Sequence, residues 1–372
     1  MLNDLKVKVG PQYYRYSEGA IDDVEKLLRT YKARKVLLVR GSQSWTAAEP
    51  YLTFLKSKDF SYYFHRYSGE CSYVSAEKIV ELVNKEQIDF IIGVGGGKLT
   101  DLVGYAANVA NIRFGVIPTL ASNCAPWTPL SVMYKESGES EGITESYNQQ
   151  ASFFLTDPKL ILESPVEYFI AGIADTLAKW YESDVMTSQD EFKDELYVQL
   201  ARHIAAISKE TLMKDGLRAV SDMKSRKMSQ AFFNCSEIVF SLAGLVGGFG
   251  DSYARNSIAH ALHDGIGMYL SNSHQFLHGV KISYGILFQL ALEDKWRDIT
   301  QLVSYYDSLD LPKSLTEMGL YPQDENTLNA IFDFVTNQDK VNMLPYDTRK
   351  EKLVETLHQL EAFNCGIIRN YN

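Results

Sequence analysis

The sequence predicts an α/β fold joined to an all-α one: an N-terminal Rossmann-like domain with a parallel sheet over residues 1–162, then a helical domain over 163–372. Three observations carry this. Short apolar runs alternate with helical patterns through the first part of the chain, as in a sheet covered on both faces. A glycine-rich turn, Gly93 to Lys98, follows one of these runs and opens a helix. Beyond Ser164 the strand signals fade, and long helical patterns run on to the C-terminus.

The elements follow in order. Val36–Arg40, Ser61–Arg66, Asp89–Val94 and Phe114–Pro118 read as strands, with helices at Ile21–Tyr31, Ala47–Ser57, Ser75–Lys85 and Thr100–Asn111 between them. Ser131–Tyr134 and Phe153–Thr156 read as a hairpin flanking the sheet. Ser164-Pro165-Val166-Glu167 has the form of a capping box with proline at the first helical position, and it opens the second domain. A cleft between the two domains is the expected place for a ligand.

Bulk properties narrow the function. A formal net charge of -10 with no basic block argues against nucleic acid and anionic membrane surfaces as partners. The opening MLNDLKVKVG lacks the regions of a signal peptide, and no uninterrupted apolar run approaches the roughly 20 residues of a membrane helix. Cys71, Cys124, Cys235 and Cys365 are scattered, with no CxxC pair and no disulfide framework, so a cytoplasmic location is expected. A metal here would take nitrogen and oxygen ligands, which suits Zn, Fe(II), Mn, Co or Ni.

At the glycine-rich turn, Gly93, Gly95, Gly96 and Gly97 let backbone N–H groups approach a ligand at a helix start, and Lys98 adds a positive charge. A pyrophosphate fits there chemically, and a tight strand–helix turn is the plainer alternative. The spacing is neither GxGxxG nor a Walker A loop.

Asp251 to Gly285 holds His260, His263, His274 and His278, four of the seven histidines. Asp251 can cap a helix over Ser252 to about Met268, which puts His260 and His263 on one face. SNSHQ reads as a loop, and His278-Gly279 opens a second helix. Two helix ends can therefore aim imidazoles at one point, but a catalytic metal needs a third ligand. Asp175 lies among apolar residues early in the second domain. A buried carboxylate is costly unless paired, either with a metal or with Lys179 one turn on.

Four stretches in this order, Gly93–Asp101, Ile117–Tyr134, Ala171–Ser183 and Ala259–Gly285, resemble the glycerol dehydrogenase branch of the iron-containing alcohol dehydrogenase superfamily. The resemblance spans nearly the whole chain, and CAPWTPLSV and TLAKWYE look closest to the bacterial hydroxycarboxylate dehydrogenases. It implies a dehydroquinate synthase-like fold and hydride exchange between NAD or NADP and a small polar substrate at one divalent metal, Zn or Fe(II). The implied metal ligands, which are also the catalytic and substrate-contacting residues, are Asp175, His260 and His278. The implied cofactor positions are Gly41, Gly97, Lys98, Asp101, Thr119, Ser122, Thr128, Leu130 and Tyr134. A homo-oligomer is expected. His263 and His274 do not match metal positions: His263 is open to a proton-relay or a structural role, and His274 is read as structural.

Two departures from the branch matter. Glycerol dehydrogenases carry an aspartate against the polyol where this chain has Cys124. A neutral thiol does not repel an acid, so a 2-hydroxy acid / 2-oxo acid pair is expected, with Cys124 at the substrate and Arg255 a possible cation for its carboxylate. NAD-preferring relatives place an aspartate where this chain has Gly41. Arg40 beside it can pair with a 2′-phosphate or be a plain surface cation, and the reading leans to NADPH. Glycerol dehydrogenase and a dehydroquinate synthase-like lyase are the alternatives. The second needs a set of cations for a phosphate-bearing substrate, and only Arg255 and Lys281 lie near the histidines in sequence.

Overall fold

In the computed structural model, residues 2, 4–67, 69–364 and 366 are described. Cys365 lies outside them. The strands are β1 (Tyr14–Tyr16), β2 (Lys35–Arg40), β3 (Ser61–Arg66), β4 (Phe90–Gly95), β5 (Arg113–Pro118), β6 (Leu130–Tyr134), β7 (Ser140–Ser146) and β8 (Phe154–Thr156). The first helices are α1 (Asp23–Thr30), α2 (Gln43–Ala48), α3 (Tyr73–Glu86), α4 (Gly97–Val109) and α5 (Pro158–Leu162). Next come α6 (Val166–Thr187), α7 (Leu196–Lys224), α8 (Gln230–Glu237), α9 (Ala243–Gly250), α10 (Ile258–Tyr269) and α11 (His278–Leu292). The chain closes with α12 (Trp296–Asp307), α13 (Glu325–Thr336), α14 (Asp339–Asn342) and α15 (Lys350–Asn364).

Six strands form one parallel sheet in the order β1-β8-β5-β4-β2-β3. Every residue of β4 is buried, as expected for a parallel strand covered on both faces. Val36, Leu38, Ile92, Val94 and Ile117 pack with Val24 and Leu28 of α1 on one side. The four longer strands match the sequence reading to within a residue or two. The hairpin does not: β6 pairs antiparallel with β7 across a turn in which Gly138 has φ 90°, while β8 is a buried strand of the main sheet. The expected helix over Ala47–Ser57 is also broken. Pro50 has no N–H to donate, and the chain there falls into short 3-10 turns, Glu49–Tyr51 and Thr53–Lys56.

The chain divides into two compact units. One is Lys8–Phe169 with Arg218–Leu245; the other is Met1–Val7, Ile170–Leu217 and Val246–Asn372. This differs from the single boundary drawn at 162/163. Residues 218–245 pack on the sheet because their aromatics meet its edge. Phe233 stacks on Tyr16 at 4.9 Å, Phe240 meets Phe154 edge-on at 5.1 Å, and Tyr14 donates to Glu237 Oε1 at 3.1 Å. Gln230–Tyr253 is long and apolar enough to cross a bilayer, but 67% of its apolar window is buried inside the protein. A buried core helix passes the same test.

In the helical unit, α10 packs on α11 and α13, and α11 on α12 and α15. Two glycines of α11 set these distances. A Cβ at Gly279 would lie 1.8 Å from the Ala171 carbonyl oxygen of α6, and one at Gly285 would lie 2.6 Å from the Ala259 carbonyl oxygen of α10. With no side chain at either position, α11 lies hard against both helices.

Candidate active site

That close approach brings together three side chains from three helices. Asp175 sits mid-way along α6, His260 in the first turn of α10, and His278 at the first position of α11. Asp175 Oδ1 lies 3.5 Å from His260 Nε2 and 3.2 Å from His278 Nε2. The donor atoms of these three residues all lie within 4.8 Å of one another. Donors held about 2.1 Å from a tetrahedral Zn are about 3.4 Å apart, so the spacing suits such an ion. Asp175 is buried, and its Oδ1 has no hydrogen-bond partner among the described residues. A carboxylate oxygen left in this state between two imidazole nitrogens fits a divalent cation.

The electrostatics agree. Burial pushes the Asp175 carboxyl up, but the Lys179 charge and the two imidazoles outweigh it and hold it well below the usual range. Asp175 is therefore ionised. Lys179 acts through its field rather than as the salt-bridge partner considered from sequence; its Nζ donates to Asn256 Oδ1 at 3.3 Å. Burial pulls His260 down, yet Glu182 and Asp175 bring it net above its ordinary value. A cation would displace that proton.

Glu182 was not anticipated. It is fully buried, and its Oε1 accepts the backbone N–H groups of Ser257 at 2.7 Å and His260 at 2.9 Å. Its Oε2 lies 2.5 Å from His260 Nδ1. One carboxylate thus caps the start of α10 and orients the His260 ring, the arrangement metal-bound histidines use. The available signal was spacing: Glu182 is two helical turns beyond Asp175, on the same face. The α10 helix begins at Ile258, not Ser252, because Asp251, with φ 50°, opens a short 3-10 turn, Asp251–Tyr253, instead of capping a longer helix. The Asp251 carboxylate accepts the Lys6 N–H at 3.2 Å and pairs with Arg255 at 3.7 Å. Ser164 likewise forms no capping box; its hydroxyl donates to the Ile161 carbonyl at 2.8 Å.

His263 is buried and joins the site from behind: its Nε2 lies 3.0 Å from His278 Nδ1. Burial, then His278 and Lys281, hold it well below its ordinary pKa. His274 is exposed in the 3-10 turn Ser271–Gln275 and is not among the metal-competent side chains.

The cofactor candidates all lie in the sheet unit. Gly96 precedes α4, whose first turn holds Gly97 and Lys98, so free N–H groups face outward from the helix start. A Cβ at Gly97 would fall 2.6 Å from the Asn123 side-chain amide. Thr119 follows β5, and its buried Oγ1 has no hydrogen-bond partner among the described residues. An ordered turn with an orphan hydroxyl fits a phosphate-bearing ligand. Lys98 is already engaged, ion-paired with Glu70 and 4.5 Å above the Tyr134 ring. Nothing in the sequence pointed to Glu70. Asp101 is buried beneath the turn, where its Oδ2 accepts the Val132 N–H at 3.1 Å, and burial pushes its pKa up to about 8. Ser122, Thr128 and Leu130 are partly exposed along Leu120–Leu130, and Cys124 sits just before the 3-10 turn Ala125–Trp127. Gly41 follows β2. Beside it the Arg40 guanidinium stacks 4.8 Å over Trp45, with its Nε buried and unbonded among the described residues.

Comparison with known proteins agrees with this chemistry. Residues 11–158 match the family model of the iron-containing alcohol dehydrogenases. The chain is 29% identical over 364 residues to hydroxycarboxylate dehydrogenase A of Escherichia coli, covering 98% of this chain and 99% of that one. It is 31% identical over 336 residues to an uncharacterized oxidoreductase of Synechocystis, covering 87% and 84% respectively. The solved structure of a probable glycerol dehydrogenase from Sinorhizobium meliloti superposes with a TM-score of 0.84 at 23% identity, over 97% of this chain and 99% of that one. The chain belongs to the iron-containing alcohol dehydrogenase family, as an oxidoreductase acting on alcohol groups with NAD(P) and a divalent metal.

Proposed function

We propose that this enzyme interconverts a small 2-hydroxy acid and its 2-oxo acid, with NADPH as the preferred nicotinamide. The observation that carries the metal-dependent part is the buried, unbonded Oδ1 of Asp175 between two imidazole nitrogens. Asp175, His260 and His278 would hold the ion, and Zn or Fe(II) both accept this donor set. When bound, a divalent cation is a Lewis acid that polarises the substrate carbonyl and favours the alkoxide of the alcohol. NAD(P) carries the hydride.

The chain's own residues supply position and charge. With an ion in place, Glu182 would accept the Nδ1 proton of His260 and leave the Nε2 lone pair for the metal beside Asp175. The N–H groups at the start of α4 receive the cofactor phosphates, and Lys98, already neutralised by Glu70, adds little net charge there. Arg40, at the end of the strand next to β4 and stacked on Trp45, would pair with a 2′-phosphate.

The substrate class rests on Cys124. A thiol neither repels a substrate carboxylate nor accepts polyol hydroxyls as an aspartate does. The likeness to hydroxycarboxylate dehydrogenase A over almost the full length of both chains points the same way. Glycerol oxidation is the second reading, supported by the fold shared with the Sinorhizobium protein. Turnover of 2-oxobutyrate and of dihydroxyacetone, each with NADH and NADPH, separates them. The proposal expects the 2-oxo acid with NADPH to be fastest. Activity confined to dihydroxyacetone with NADH would overturn it.

A further inference from the structure

Behind His278 runs a chain of hydrogen bonds that the reaction itself does not require. His278 Nδ1 lies 3.0 Å from His263 Nε2, and the two rings meet edge-on with centroids 4.3 Å apart. His263 Nδ1 lies 3.0 Å from Asp264 Oδ1. Asp264 Oδ2 takes a hydrogen bond from Lys340 Nζ at 3.2 Å, on the short helix α14.

A metal ligand needs a bare nitrogen, and His278 turns Nε2 towards Asp175. With that nitrogen bare, one proton arrangement satisfies every link. His278 carries its proton on Nδ1 and donates to His263 Nε2. His263 then carries its own proton on Nδ1 and donates to Asp264. The Asp264 carboxylate only accepts, and the Lys340 ammonium only donates. The opposite tautomer of His263 would set an N–H against an N–H at one end and a lone pair against a carboxylate at the other.

The two imidazoles are thus anchored differently. His260 meets the buried Glu182 directly. His278 reaches its carboxylate only through a second imidazole, and that carboxylate is 32% exposed and held by a lysine. We infer that His263, Asp264 and Lys340 are positioning residues for the metal centre, fixing the ring plane and the Nδ1–H tautomer of His278. The inference rests on the metal reading above.

The test uses Zn-loaded full-length protein. Zn affinity is measured by competition with a chromophoric chelator, and site geometry by the visible spectrum of the Co(II)-substituted form. Circular dichroism checks folding. Loss of a partner behind a metal-bound histidine costs about 10–100-fold in metal affinity, and that fall is expected for His263→Ala, together with a changed Co(II) spectrum. His263→Gln keeps an acceptor oxygen for His278 Nδ1–H and should recover most of the affinity. Equal losses in the Ala and Gln variants, or an unchanged affinity and spectrum in folded His263→Ala, overturn the inference. If His263→Ala does not fold, Lys340→Met decides, with circular dichroism again checking the fold: a fall beyond replicate scatter supports the chain, and unchanged affinity overturns it. Wild-type protein that takes up no Zn or Co(II) overturns the metal reading itself, which is a different result from variants that bind as tightly as wild type.

Discussion

Glu182 holds His260 at two points: Oε1 accepts the backbone N–H at 2.9 Å, and Oε2 lies 2.5 Å from Nδ1 of the ring. The same carboxylate therefore sets where α10 begins and which way its imidazole faces. Glu182→Gln tests this. The amide still reaches the backbone, but its NH2 group facing Nδ1 favours the tautomer with the proton on Nε2, the nitrogen a metal needs. Zn affinity should fall about 10–100-fold while the helical circular dichroism is kept. Unchanged affinity would remove Glu182 from the centre.

Gly279 is the position at which α11 meets α6. A methyl group there would occupy the Ala171 carbonyl oxygen, 1.8 Å from the Cβ position. Gly279→Ala should lower stability by about 1–3 kcal/mol, as overpacking does, and should also reduce bound metal because His278 is the adjacent residue. Thermal midpoint and metal content are the readouts. A variant with wild-type metal content and wild-type midpoint would contradict the close crossing.

Asp101 gives a pH dependence. Its pKa is raised from 3.8 to about 8 by burial, so the folded chain holds this proton more tightly than the unfolded chain. The contribution to stability is full below about pH 4 and is lost as pH rises towards about 8. Asp101→Asn keeps the shape and removes the titration. Between those pH values the wild-type thermal midpoint should fall relative to that of the variant. Parallel curves would show that Asp101 does not titrate this way.

Arg40 tests cofactor choice. If its guanidinium pairs with a 2′-phosphate, Arg40→Ala removes a charge-assisted hydrogen bond of about 1.5–3 kcal/mol, or about tenfold or more in kcat/KM for NADPH relative to NADH. An unchanged ratio would make Arg40 a structural cation stacked on Trp45.

Much of the fold was legible because long parallel strands leave a clear signature. Phe90–Gly95 is apolar throughout and ends in glycines, and the helix after it has its own period. Tyr14–Tyr16 and Phe154–Thr156 are three residues each, too short for periodicity to register, and so the second was assigned to a hairpin. The helical pattern of residues 218–245 showed that they are helical, but not which core they join; that depends on Tyr14, Tyr16 and Phe154 meeting them in space. At the site, Asp175, His260 and His278 were named from ordered motifs, and the structure brings all three together. Glu182, Glu70 and Lys340 were not, because each acts through a contact formed only on folding, at separations from 28 to 78 residues.

The central claim is that one divalent ion, held by Asp175, His260 and His278, supports hydride transfer. The direct measurement strips the wild type and Asp175→Ala with a chelator, restores Zn or Fe(II) in steps, and follows both bound metal and NAD(P)H oxidation with a 2-oxo acid. The expected result is activity that rises with bound metal and saturates at one ion per chain, with Asp175→Ala neither binding the ion tightly nor turning over. Full activity in the stripped wild type, or in Asp175→Ala, would contradict it.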